Sequence, residues 1–220
     1  MKGKKFYFIL TAILLIGVSS IYFFRQQREE QFLAFEAYEI ENIESQVLSL
    51  YNEEKTDIKS NLSENTFEEI QALFDELETE EYHPKNAERL EKAQNDFITA
   101  KEMHHLEETI DNLFIEDEMI DPEVSTQKIE QLENELLNFQ EKEVYYARHM
   151  ENLSEAKVQL HNIEIARSFI EGLFEEDMVR EDVTRADEEE ALAFIENIKN
   201  DEVRDELLAQ VEILSVALTE

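Results

Sequence analysis

Residues Ala166–Leu218, ARSFIEGLFEEDMVREDVTRADEEEALAFIENIKNDEVRDELLAQVEILSVAL, decide how the rest of the chain reads. Ala166, Ile170, Leu173 and Phe174 are spaced so that they form one apolar stripe on a helix. The acidic run Glu175-Glu176-Asp177 follows, and Val183-Thr184 then places an apolar residue before a hydroxyl, the pattern of a helix N-cap. A second stripe continues through Ala191, Ile195 and Ile198, and a third helix carries Leu208, Val211 and Val216. The unit is therefore a helix, an acidic loop, a capped helix and a closing helix.

The same order recurs twice upstream at a spacing of about 60 residues, close to the periods that mark repeat architectures. The opening stripe is Leu106, Ile110, Leu113 and Phe114 in the middle copy, and Ile43, Val47, Leu50 and Tyr51 in the first. The caps are Val124-Ser125 and Leu62-Ser63, whose apolar members can staple to Ile129 and Phe67. The third copy departs here, with Glu188 at that place. Second helices carry Leu132, Leu136 and Phe139, and Ile70, Phe74 and Leu77; closing helices carry Met150, Leu153 and Val158, and Leu90, Ala93 and Ile98. No Gly or Pro interrupts the chain between Pro84 and Phe114 or between Glu143 and Glu171, so each run is expected to be one long helix shared by two copies. The expected fold is all-α: an N-terminal transmembrane helix, then an elongated, rod-like array of about three helical repeats of about 60 residues sharing long helices. The repeats span 29–100, 101–160 and 161–220. A coiled coil or irregular bundle would show similar stripes, but the agreement of stripes, caps and spacing favours the repeat.

With Ile170-x2-Leu173-Phe174, Val183-Thr184 and Leu207-x3-Val211, the stretch Ala166–Leu218 resembles the three-helix repeats of bacterial surface proteins related to the crystal-toxin domain-VI family. It is also similar to extracellular modules of Gram-positive cell-division anchors. The resemblance covers residues 100–218 closely and 37–100 loosely. It implies a cell-surface or wall-associated setting and supplies no catalytic residue. Those division anchors carry a long cytoplasmic segment, whereas only Met1–Lys5 precede the apolar segment here, so direct binding to the cytoplasmic division machinery is not expected.

Composition agrees with helices. Three Gly and two Pro among 220 residues leave little turn material for a sheet. A hydrophobic content of 42% is too high for a solvated, disordered chain. The net charge is -34. No acid precedes Glu29, while Lys2, Lys4, Lys5, Arg25 and Arg28 do, so the remainder sets 15 bases against 54 acids, or -39. Nucleic acid is excluded as a partner, because its binding depends on Lys and Arg displacing counterions. The absence of Cys removes disulfides, thiolate metal sites and a Cys nucleophile.

Phe6–Phe24 (FYFILTAILLIGVSSIYFF) is uncharged, and 19 residues at about 1.5 Å each nearly cross a hydrocarbon core of about 30 Å. Phe6, Tyr7, Tyr22 and Phe24 suit the two interfaces, with Leu15 and Gly17 in the interior. The slight basic excess before Phe6 places residues 1–5 in the cytoplasm and the acidic domain outside, making a single-pass protein of the cell membrane. A signal peptide cleaved after Val18-Ser19-Ser20 would export the same domain but start it on the apolar Ile21-Tyr22-Phe23-Phe24.

Chemistry-bearing clusters are few. His104, Glu108 and Asp111 can share a helix face, yet their spacing matches no metalloenzyme motif, so solvated histidines are expected. Glu116-Asp117-Glu118 with Asp121 and Glu123, and Glu175-Glu176-Asp177 with Glu181 and Asp182, lack the glycine of an EF-hand and would at most condense cations weakly. With no Trp, a carboxylate pair working on glycosides in an aromatic cleft is not expected. Tyr145 and Tyr146, beside Arg148 and His149, offer a candidate interaction surface of Tyr145, Tyr146 and Arg148, but one ring packed in the core with the other exposed is the arrangement favoured for the pair. No catalytic residue, cofactor or metal site is expected. These features predict a non-enzymatic interaction or spacer protein of the bacterial cell envelope that binds an envelope protein or a cell-wall or division component. The alternative is a regulator or assembly factor acting through its transmembrane helix, where Gly17, Ser19 and Ser20 allow close helix approach.

Overall fold

The computed structural model describes residues 25–28, 30–77, 82–176 and 178–219. The expected membrane segment, with Phe6, Tyr7, Leu15, Gly17, Tyr22 and Phe24, lies outside them. Among the described residues no helix is long and apolar enough to cross a membrane. The chain is all-α, with helices α1 (30–48), α2 (Glu64–Leu77), α3 (Pro84–Asp111), α4 (Thr126–Leu136), α5 (Glu143–Glu171), α6 (Arg185–Ile195) and α7 (Asp201–Ala217). The two long runs expected to be uninterrupted helices are α3 and α5. The chain divides into two compact units: the described residues up to Tyr51 with Lys59–Lys101, and Asn52–Ile58 with Glu102–Glu220.

In the first unit α1, α2 and the first part of α3 bury Ile40, Ile43, Val47, Leu50, Phe67, Ile70 and Phe74. Phe97 of α3 packs tilted against Phe74 at 5.4 Å and Phe67 at 6.1 Å between ring centroids. Glu36, only 1% exposed, accepts hydrogen bonds from Asn86 Nδ2 (2.9 Å) and the His83 N–H (3.4 Å). A carboxylate there faces the positive end of the α3 dipole.

In the second unit α5 packs against α4, α6 and α7. Two short antiparallel hairpins occupy the acidic loops: β1 (Phe114–Ile115) with β2 (Met119–Ile120), and β3 (Phe174–Glu175) with β4 (Met178–Val179). The sequence presents these loops as charge runs, and their strands are too short to show an alternating pattern. Glu118 (φ 60) and Glu176 (φ 49) make the turns in the left-handed region, which ordinarily favours Gly or Asn. Buried amides satisfy the outer edge of β2. Gln159 Oε1 accepts from the Ile120 N–H at 2.9 Å, and Asn200 Nδ2 donates to Ile120 O at 3.1 Å.

The order of elements and its anchoring contacts recur. The N–H groups of Leu50, Leu113 and Leu173 close the ends of α1, α3 and α5 on Val47, Ile110 and Ile170. The returning chain then donates to the same three leucines, from Lys59 (2.8 Å), Asp121 (2.9 Å) and Arg180 (3.1 Å). The N–H groups of Thr66, Lys128 and Asp187 next donate to the backbone oxygens of Ser63, Ser125 and Thr184, the three residues expected as caps. Ser125 Oγ also accepts from the Lys128 N–H.

Two expectations need correction. Ile98, Val158 and Val216 are 45, 53 and 57% exposed, and Leu208 is also exposed. Each of the first three follows a buried residue (Ala93, Leu153, Val211) by five positions, which turns well off the face that steps of three and four maintain. The core runs instead through Phe97, Ala156 and Leu214, with Leu207 in place of Leu208. Phe114 and Phe174, at the stripe position of the buried Tyr51, are only half-buried.

Candidate functional site

The sequence singled out Tyr145, Tyr146 and Arg148, which lie in the first two turns of α5. That helix starts at Glu143, whose carboxylate suits the N-terminal dipole. The Tyr145 N–H donates to Thr56 O at 3.1 Å, and Lys142 Nζ donates to Lys55 O at 3.1 Å, fixing the loop Asn52–Ile58 against this turn. Tyr145 is 0% exposed, with its hydroxyl donating to Met103 O at 2.7 Å and Phe139 set edge-on to its ring at 5.7 Å. It is a core residue and no part of a surface. Burial, with Glu107 next in effect, pushes its hydroxyl well above the ordinary range. Tyr146 is half-buried, so Tyr146 and Arg148 are the two of the three that reach solvent.

Arg148 forks between two acids. Nη1 donates to Glu107 Oε1 at 2.5 Å and Nη2 to Asp57 Oδ1 at 3.0 Å, while its guanidinium carbon lies 5.8 Å from the Tyr145 ring centre. Asp57 is held in turn by the Ile58 N–H, and Asn52 Oδ1 accepts from the Thr56 N–H. Asp111, one turn beyond Glu107, has its carboxyl raised by burial, opposed by Arg148 and reinforced by Glu108. Beneath Arg148, His149 is 0% exposed and stacks on Tyr145 at 4.3 Å. Neither ring nitrogen has a hydrogen bond, and Nε2 lies 3.8 Å from Glu107 Oε1. Burial, assisted by the neighbouring Arg148 charge, lowers its pKa to about 4.

This cluster fastens the loop, α3 and α5 together. Sequence reasoning missed Asp57, Glu107 and His149 as its members. A signal for His149 existed, because it sits four residues after Tyr145 and four before Leu153 on the buried stripe; Asp57 and Glu107 are ordinary acids in a chain full of them. Another buried acid, Glu188 of α6, receives Arg185 Nη1 at 3.1 Å and the Ser215 hydroxyl. These bonds explain how α6 tolerates a carboxylate where α2 and α4 carry Phe67 and Ile129. His104 Nε2 lies 3.5 Å from Glu108 Oε1 as its spacing suggested. Among the described residues no group of three or more His, Asp and Glu is arranged to hold a metal ion. No family model, curated protein or solved structure matches the chain.

Proposed function

We propose that this chain is a non-enzymatic interaction and spacer protein of the bacterial cell envelope. Phe6–Phe24 anchors it as a single transmembrane helix, residues 1–5 face the cytoplasm, and the acidic domain faces outward to bind an envelope protein or a cell-wall component. In this reading the domain is an array of three units of about 60 residues in which α3 and α5 each close one unit and open the next. The recurrence of the Leu50, Leu113 and Leu173 contacts with the same caps behind them carries it. Stacked units of this kind bury their faces against their neighbours and leave an outer surface for partners. The resemblance to surface-protein repeats and the excess of acid beyond Arg28 support an outward-facing surface that binds protein or wall material.

The test has two arms. Protease added to intact, wall-stripped cells is expected to degrade the acidic domain; digestion only after lysis overturns the topology. The full chain in lipid nanodiscs is expected to bind wall fragments or a fractionated envelope extract, and failure to bind either overturns the interaction role.

A further inference from the structure

Two cavities among the described residues of the second unit lie at equivalent places in successive copies. One, of 320 Å³, is lined by Asp111, Phe114, Ile115, Glu118, Asn152 and Glu155. The other, of 520 Å³, is lined by Glu171, Phe174, Glu176, Gln210 and Ile213. The correspondence is positional. Asp111 and Glu171 end α3 and α5; Phe114 and Phe174 open β1 and β3; Asn152 and Gln210 are the tenth residues of α5 and α7, and Glu155 and Ile213 the thirteenth. Each cavity thus combines a half-buried phenyl ring, an exposed isoleucine, an amide and at least two carboxylates.

The first unit shows the same place filled. Tyr51 stands where Phe114 and Phe174 do, is 2% exposed, and donates its hydroxyl to the backbone oxygen of Asp96, the thirteenth residue of α3. In the other two copies the ring lacks the hydroxyl that would tie it down, and a cavity opens beside it. The chain's own cation indicates what the opening accepts. Lys199 Nζ lies 2.6 Å from Glu155 Oε1 at the rim of the first cavity, and this bond, with Glu118 adding to it, raises the lysine's pKa. At the second cavity the Glu171 and Glu176 carboxylates have no hydrogen bond or ion pair among the described residues.

We propose that these two cavities are docking sites for an extended basic polypeptide segment in which Lys or Arg alternates with aliphatic residues. The cationic end of a side chain lies over the phenyl face, where the ring quadrupole attracts it, and between carboxylates that form charge-assisted hydrogen bonds. Its aliphatic stem covers the ring, and the intervening aliphatic residue packs on Ile115 or Ile213. A fully hydrated polycation has no use for the apolar half of the site. An acidic or phosphate-rich partner is repelled by the same carboxylates. The inference rests on the interaction role proposed above and names the chemistry of the partner.

The test is calorimetric titration of the full chain in neutral-lipid nanodiscs at physiological salt. The probes are a short alternating Lys-Leu peptide and oligolysine of equal charge. The alternating peptide is expected to bind at two sites, about tenfold more tightly than oligolysine. Phe114→Tyr with Phe174→Tyr brings in the side chain that closes the first unit's site at no change of charge. It is expected to weaken the peptide by about tenfold while the melting temperature holds or rises. Glu118→Gln with Glu176→Gln is expected to weaken it similarly, and covers the case in which the tyrosine variant does not fold. Equal binding of both probes, unaltered in the folded variants, means only diffuse counterion attraction and overturns the proposal. An envelope extract still captured by the tyrosine variant removes the cavities from the interface and leaves the envelope role standing. Peptide binding with no envelope capture does the reverse.

Discussion

At the scale of single residues, the second unit is specified by a few buried polar groups whose partners are far apart in sequence. His149 is the most exacting. A neutral imidazole with no hydrogen bond leaves its N–H desolvated and unpaired, at a cost of about 1–3 kcal/mol. Protonation is worse, because burial strips the charged ring of solvent and Arg148 stands beside it, and Glu107 at 3.8 Å does not offset them. The folded pKa of about 4 lies below the ordinary 6.5, so the folded state binds the proton less readily than the unfolded chain. Stability from this residue is therefore full above pH 6.5 and is lost as the pH falls toward 4. At about 1.4 kcal/mol per pKa unit the loss is on the order of 3 kcal/mol. The seventh residues of α3 and α7, which correspond to His149 in α5, are Leu90 and Leu207. His149→Leu should raise the denaturant midpoint and flatten its dependence between pH 7.5 and 4.5; a parallel pH profile in the variant would show that other groups set it. Arg148→Lys keeps the charge but cannot fork between Glu107 and Asp57. Losing one charged hydrogen bond predicts about 1.5–3 kcal/mol of destabilisation in urea titrations, and a change under about 0.5 kcal/mol would mean that solvent already supports the two acids.

At the scale of elements, the sequence was most legible where apolar side chains repeat at steps of three and four. Ile43, Val47 and Leu50, with their counterparts in α3 and α5, are core residues as the stripes indicated, and Ser63, Ser125 and Thr184 precede helices as hydroxyl caps should. Legibility failed in three places for different reasons. The closing-helix stripe was misphased because Ile98, Val158 and Val216 are apolar yet outward, and composition does not fix phase. The hairpins were hidden because two-residue strands carry no period and Glu118 and Glu176 occupy turn positions usually marked by Gly. The cluster around Arg148 was only half visible: Tyr145, Tyr146 and Arg148 are adjacent in sequence, but Asp57 and Glu107 arrive from distant segments and nothing local distinguishes them from other acids. Helix α6 also stands apart. Its buried row begins with Glu188 and a small Ala191, where α4 has Ile129 and Leu132. Replacing a buried, paired carboxylate by an apolar residue is often neutral or stabilising by about 1–4 kcal/mol. Glu188→Ile should therefore hold or raise the unfolding midpoint and slow hydrogen exchange in α6. Faster exchange there would show that the bonds from Arg185 and Ser215 orient the helix more strongly than apolar packing can.

At the scale of the whole molecule, the governing imbalance is 15 bases against 54 acids beyond Arg28. The structure uses its cations closely. Arg89 holds Glu44, Lys157 holds Glu133, Arg167 reaches Glu206, Arg180 pairs with Asp182, and Arg204 with Asp201. These pairs are largely at the surface, where each contributes about 0–1 kcal/mol and weakens as salt is added. The unpaired acids pull the other way. Folding concentrates them, and their mutual repulsion destabilises the compact state until counterions screen it. Screening acts over about 10 Å at 0.1 M salt and about 3 Å at 1 M, so it reaches neighbouring carboxylates on the same helix face. Unpaired acids far outnumber the pairs, and relief of repulsion should exceed the loss of attraction. The melting temperature of the full chain in neutral-lipid nanodiscs should therefore rise from low salt to 1 M sodium chloride. A melting temperature that falls with salt would reverse the balance and show that the few ion pairs, with the Arg148 cluster foremost, outweigh the surplus charge.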